Sequence, residues 1–279
     1  MEVEVGSGGV RLAGTIWQPD GDAVAGVLMH PGSGPSDRDN DWFFPPIREH
    51  LLEAGIAEQA DDLLAGLAVF ESESPPGLPI GLFGHSQGGW VVVEAASRRV
   101  PVAFVIPSSG GGASPARQER YSLANKLEDG REAEALATYD AVVTVIRESP
   151  TLAEGVEQLE AAGVPYRELP GLEFMFEDET IWRLCADIFG YDPAPALARI
   201  KAPLLALLGA EDKVNPPEES AAVFRASVRP ELLQVEVFPE ADHRLQHGDP
   251  PRFVDGYLDR IASFVRADAD ARNSQRAPR

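Results

Sequence analysis

Leu78-Pro79-Ile80-Gly81-Leu82-Phe83-Gly84-His85-Ser86-Gln87-Gly88-Gly89 changes character midway. Its first half is a short apolar run set off by Pro75-Pro76-Gly77, the signature of a strand buried on both faces. Beyond it, Trp90 to Arg98 has the spacing of a helix. Between the two stands Gly84-His85-Ser86-Gln87-Gly88, a G-x-S-x-G pentapeptide at a strand-to-helix transition. The five letters recur by chance in many chains, and the setting gives them weight. There the glycines let the backbone turn sharply, lifting the Ser86 hydroxyl above a sheet at the start of a helix, where N–H groups favour developing negative charge. The competing reading is a glycine-rich turn whose serine is incidental.

On either side the same alternation continues. Gly26 to Met29 forms an apolar run ending at His30-Pro31-Gly32, and Val102 to Ile106, Pro203 to Leu208 and Leu233 to Phe238 supply further strands. Helical spacing marks Ile47 to Ala54, Ala60 to Phe70, Glu218 to Val228 and Phe253 to Val265. Buried strands alternating with amphipathic helices specify an α/β fold, with a mostly parallel sheet flanked by helices. Glu2 to Val5 and Val10 to Trp17 alternate apolar and polar residues about Gly6-Ser7-Gly8-Gly9, which predicts an antiparallel hairpin.

Between Ser114 and about Ala194 the strand signal vanishes, and Arg117 to Leu127, Glu132 to Arg147, Leu152 to Ala162 and Glu177 to Phe189 read as helices. The expected organisation is therefore a core domain over 1–113 and 195–266 and a helical cap insertion over 114–194. A polar, aperiodic tail over 267–279 is expected to be disordered. Phe174, Phe176 and Trp182, with Met175, Phe189 and Tyr191, either line an acyl pocket or form the insertion's own small core.

Composition narrows the functional classes. The 279 residues are 44% hydrophobic, enough for one large core. Lys plus Arg is 24 and Asp plus Glu is 45, giving a net charge of −21 that repels phosphate backbones and anionic lipid, so neither nucleic acid nor membrane is an expected partner. Cys185 is the single cysteine, which precludes an intrachain disulfide. The acidic, alternating start Met1-Glu2-Val3-Glu4-Val5 lacks the pattern of a signal peptide, and no apolar run approaches the roughly 18 residues of a membrane span. A cytoplasmic protein is expected, and a homodimer is compatible with this reading.

A serine hydroxyl is a weak nucleophile at neutral pH and needs a base, for which histidine's ordinary pKa is suited. Five histidines compete. His85 adjoins Ser86 on the turn and is expected to point away from it, His50 lies in an early helix, and His30 ends a strand. His243, in the polar loop Pro239-Glu240-Ala241-Asp242-His243-Arg244 after the last strand, falls where open parallel sheets place their sites. It is the expected base, with His247 the alternative. The imidazole needs a carboxylate on its other nitrogen. Asp212 follows the strand Pro203 to Leu208 and completes the order Ser86, Asp212, His243, while Glu211 and Asp242 remain alternatives. An oxyanion requires preorganised donors, for which the Gln87 N–H and the Ser33 N–H are the candidates, the second in the loop His30 to Asp39. Asp37 and Arg38 are expected to brace that loop as an ion pair.

With these residues placed, the chain resembles the α/β-hydrolase superfamily over roughly residues 1 to 265. Its Pro31-Gly32-Ser33-Gly34-Pro35-Ser36-Asp37-Arg38-Asp39 loop and Gly84-His85-Ser86-Gln87-Gly88-Gly89 are similar to those of bacterial esterases related to dienelactone hydrolases and acyl thioesterases. The resemblance implies an α/β-hydrolase fold and a serine carboxylesterase that cleaves small-molecule esters without metal or organic cofactor. An acyl thioesterase, a serine peptidase and a non-catalytic binding protein that keeps the triad as a relic are the other readings. One departure stands out. Where the family has a strand and a charged loop, Gly55-Ile56-Ala57 runs directly into Glu58-Gln59-Ala60-Asp61-Asp62, so one family strand is expected to be missing near residues 56–60.

Overall fold

The computed structural model describes all residues except 8–9, 34–38, 41, 54–55, 61–62, 99–101, 128–131 and 277–279. Strands β1 (Glu2–Ser7) and β2 (Val10–Trp17) form the antiparallel N-terminal hairpin in the register Glu2 to Thr15. There follow β3 (Ala25–His30), α1 (Phe44–Glu53), β4 (Ile56–Ala60), α2 (Leu63–Glu73), β5 (Ile80–His85), α3 (Gln87–Ser97) and β6 (Val105–Ser108). Four helices come next: α4 (Pro115–Lys126), α5 (Glu132–Glu148), α6 (Leu152–Ala161) and α7 (Glu179–Gly190). The chain ends with α8 (Ala194–Arg199), β7 (Leu204–Gly209), α9 (Pro217–Ser227), β8 (Leu233–Phe238), the two-residue pair β9 (Gln246–His247) and β10 (Arg252–Phe253), and α10 (Tyr257–Arg276).

Eight strands make one sheet in the order β1-β2-β4-β3-β5-β6-β7-β8. From β4 through β8 every neighbouring pair is parallel. The expected missing strand is therefore present. Ile56–Ala60 pairs parallel with Ala25–Met29 on one side and antiparallel with Thr15–Trp17 on the other, so the hairpin joins the sheet through β4. A second departure is the tail. α10 continues to Arg276, because Ala269 is buried and Arg272 donates to the Ala103 carbonyl oxygen at 2.6 Å, so residues 267–276 are helical.

The alternation of strand side chains sends successive residues to opposite faces, and each face has its own core. Ala25, Val27, Met29, Leu205 and Leu207 join Phe44, Ile47 and Leu51 of α1 and Tyr257, Ile261 and Val265 of α10. Leu28, Leu82, Leu204 and Ala206 join Leu67 and Phe70 of α2, Val92 and Val93 of α3, and Phe224 of α9. Both faces being buried explains why β5 and β7 read as unbroken apolar runs. Compact packing divides the chain into one unit of Met1–Gly112, Pro193–Asp212 and Pro217–Arg279 and a second of Ala113–Asp192 and Lys213–Pro216. The second has a separate core around Tyr139, Val142, Ile146, Leu159, Met175 and Trp182. Among the described residues no helix is long and apolar enough to cross a membrane.

Candidate active site

Ser86 occupies the turn between β5 and α3 with φ 53° and ψ −118°, a positive-φ conformation that costs a non-glycine residue about 1–3 kcal/mol. The surrounding structure imposes it. The Ser86 N–H donates to the Ser108 carbonyl oxygen at 2.9 Å, and the Gly89 N–H to the Ser86 carbonyl oxygen at 2.8 Å. Gly88 has no room for a side chain, since a Cβ there would lie 2.5 Å from the His30 carbonyl oxygen and 2.7 Å from that of Pro31. The end of β3 thus packs directly on the turn. A serine preceding a helix ordinarily spends its hydroxyl on capping N–H groups. Ser86 makes no such bond.

Its hydroxyl instead lies 3.0 Å from His243 Nε2, and His243 Nδ1 lies 2.8 Å from Asp212 Oδ2. A carboxylate only accepts, so Nδ1 carries a proton, and Nε2 faces the Ser86 hydroxyl. Asp212 is 1% exposed. The loops carrying Asp212 and His243 are joined by backbone bonds from the Ala210 N–H to the Phe238 carbonyl oxygen and from the Glu211 N–H to the Ala241 carbonyl oxygen, both 2.9 Å. Gly209 permits this approach, because a Cβ there would collide with the Ala241 and Asp242 carbonyl oxygens. His243 sits in a closed turn whose Asp242 carboxylate accepts from the N–H groups of Arg244 at 2.8 Å and Gln246 at 3.0 Å. Asp242 is thereby turned to main chain and not to the imidazole, and Glu211 is exposed.

The remaining histidines are engaged elsewhere. His247 Nδ1 lies 3.5 Å from Glu240 Oε2, His50 Nε2 lies 3.2 Å from Asp259 Oδ1, and His30 Nδ1 donates to the Pro31 carbonyl oxygen at 2.9 Å. His85 is buried, with Nε2 3.1 Å from the His243 carbonyl oxygen. This contact between two residues 158 positions apart has no local signature in the sequence.

Gln87 opens α3, so its N–H is among those with no carbonyl one turn earlier in the helix to bond. Ser33 is exposed, and Gly32 before it lies against the turn, with a Cβ there 3.3 Å from Ser86 Cβ. Asp37 and Arg38 lie outside the described residues; Asp39 pairs with Arg48 at 2.6 Å. Trp182 is fully buried in the second unit's core, its Nε1–H donating to the Ser149 carbonyl oxygen at 3.2 Å, which leaves no ring surface for a ligand. Phe176 packs on Tyr166 and Trp182 in that core, with ring centroids 4.6 and 5.9 Å away, and Phe174 is 44% exposed. Among the described residues no group of three His, Cys, Asp or Glu side chains is placed to hold a metal ion.

A hydroxyl aligned with an imidazole, itself oriented by a buried carboxylate at the carboxyl edge of a parallel sheet, is an arrangement suited to nucleophilic acyl transfer. The chain belongs to the alpha/beta hydrolase family, whose model matches residues 11–256. Among solved structures it is similar to the proline iminopeptidase of Mycobacterium smegmatis, at 18% identity and a TM-score of 0.63, over 98% of this chain and 100% of that one. It is also similar to an esterase of Pyrococcus furiosus, at 18% identity and a TM-score of 0.61, covering 96% and 90%. The esterase domain of a Rhodothermus marinus protein has 17% identity and a TM-score of 0.58, covering 96% and 98%. At these identities the likeness is one of fold. No curated protein sequence matches the chain.

Proposed function

We propose that the protein is a cytoplasmic serine carboxylesterase that cleaves small-molecule esters through an acyl-enzyme, with no metal or organic cofactor. The observation that carries this reading is the single imidazole of His243 bonded at once to Ser86 and Asp212. In the first half-reaction His243 Nε2 takes the Ser86 proton as Oγ attacks the ester carbonyl. The oxyanion is met by the N–H groups of Gln87 and Ser33, and Asp212 stabilises the imidazolium. The imidazolium then protonates the departing alkoxide. In the second half, water delivers its proton to His243 and its oxygen to the acyl carbon, releasing the carboxylic acid and restoring the Ser86 hydroxyl.

Ser86→Ala is expected to abolish turnover of a short p-nitrophenyl ester and labelling by a fluorophosphonate, with an unchanged circular dichroism spectrum. Equal turnover by variant and wild type would reject the reading. A missing strand would favour a non-catalytic binding role, and β4 is present in the sheet. Such a triad serves esters, thioesters and amides alike. Turnover of thioesters or prolyl amides in preference to esters of matched acyl group would replace the carboxylesterase reading with a thioesterase or peptidase one.

A further inference from the structure

The His85 ring packs against Phe43, 4.2 Å away centroid to centroid, and against the ring of His243, 5.3 Å away. Its Nε2 stands 3.1 Å from the carbonyl oxygen of His243. A carbonyl accepts and cannot donate, so Nε2 carries the proton. Nδ1 is then the bare nitrogen, buried and without a hydrogen-bond partner among the described residues, with the Gly32 backbone beside it. Burial foremost, and then the neighbouring His243 and Arg244, push the pKa of His85 down to about 3. The ring is thus a fixed, uncharged donor.

That donor meets the turn carrying the base at the residue whose side chain reacts. From one side Asp242 ties the N–H groups of Arg244 and Gln246, and the Leu245 N–H donates to the Asp242 carbonyl oxygen at 3.1 Å. From the other, His85 ties the His243 carbonyl. We infer that His85 is a positioning residue, whose Nε2–H anchors the His243 main chain so that the imidazole stays within reach of both Ser86 and Asp212. This rests on the serine-hydrolase reading above. Its leverage comes from the steepness of proton transfer with geometry, a displacement of about 1 Å costing on the order of a hundredfold.

The test uses His85→Phe, which keeps an aromatic ring beside Phe43 and deletes the donor, and His85→Gln, whose amide N–H reaches to a similar depth. Active sites are counted by fluorophosphonate titration, so that kcat refers to labelled sites alone. His85→Phe is expected to lower kcat per labelled site by about 10–100-fold while KM moves by less than about twofold, and His85→Gln to recover most of the loss. A purely structural role would lower the labelled fraction and the melting temperature and leave kcat per site unchanged. In the wild type, imidazole ¹⁵N spectra should show His85 protonated at Nε2 alone from about pH 5 to about pH 9. A proton on Nδ1, or a His85→Phe enzyme with the wild-type kcat per site, overturns the inference. If His85→Phe does not fold, the ¹⁵N tautomer and the kcat of His85→Gln decide. Wild-type protein that takes no fluorophosphonate removes the serine-hydrolase reading and the positioning role together, whereas labelled wild type with an unimpaired variant removes the positioning role alone.

Discussion

Gly110 lies where the loop after β6 crosses beneath the turn, and a methyl group there would overlap the Ser86 carbonyl oxygen. That carbonyl already accepts from the Gly89 N–H, so it cannot turn aside without opening the start of α3. Gly110→Ala is expected to destabilise the protein by about 1–3 kcal/mol and to slow fluorophosphonate labelling of the folded fraction at least about tenfold. Urea melts and labelling rates at matched folded fraction check this. The convergence of Ser86, His243 and Asp212 was legible because each sits just past a readable strand, in the order proposed for nucleophile, carboxylate and base. Gly110, Gly209 and His85 were not. What fixes them is the approach of a backbone oxygen from a distant segment, and that proximity has no local signature.

Two elements have a weak signature in the sequence for related reasons. β4 consists of Ile56-Ala57-Glu58-Gln59-Ala60, in which alanine, glutamate and glutamine favour helices and only Ile56 is a strong strand former. The tertiary position between β2 and β3 overrides that preference by supplying ladder partners on both edges. The last half of α10 is polar for a related reason: a helix lying on a core needs few apolar residues to be held. Ala269 is 1% exposed, and Arg272 bonds both Asp268 and the Ala103 carbonyl oxygen. Arg272→Ala should cost about 1 kcal/mol, since the side chain is 40% exposed and its ion pair is discounted for solvent. Deleting residues 267–279 should cost more, because it also uncovers the surface under Ala269. Thermal melts of the two variants should fall in that order below wild type, and a deletion as stable as wild type would show the helix end to be dispensable.

For the molecule as a whole, one buried ring contributes a separable part of the response to acid. The folded-state pKa of His85 is about 3 against an ordinary 6.5, so below about pH 6.5 the unfolded chain takes up a proton that the folded chain refuses. The stability this residue contributes is complete above that pH and is lost as pH falls toward 3, at up to about 1.4 kcal/mol for each pH unit. Acidification also neutralises some of the 45 carboxylates of a chain with net charge −21, easing self-repulsion and working in the opposite direction. The two are separated by comparing wild type with His85→Gln. Urea midpoints measured from about pH 7 down to about pH 4 should fall less steeply for the variant, by close to one proton's worth of slope. Parallel curves would show that His85 titrates alike in both states.

The serine on which the proposed chemistry depends stands on a main-chain twist that glycine adopts without strain. Random mutation therefore has a short path toward a sturdier and inert descendant: Ser86→Gly should relieve part of the strain while deleting the hydroxyl. A lineage selected for persistence alone would drift that way. On the proposed function, it is selection for the hydroxyl that holds an L-amino acid there.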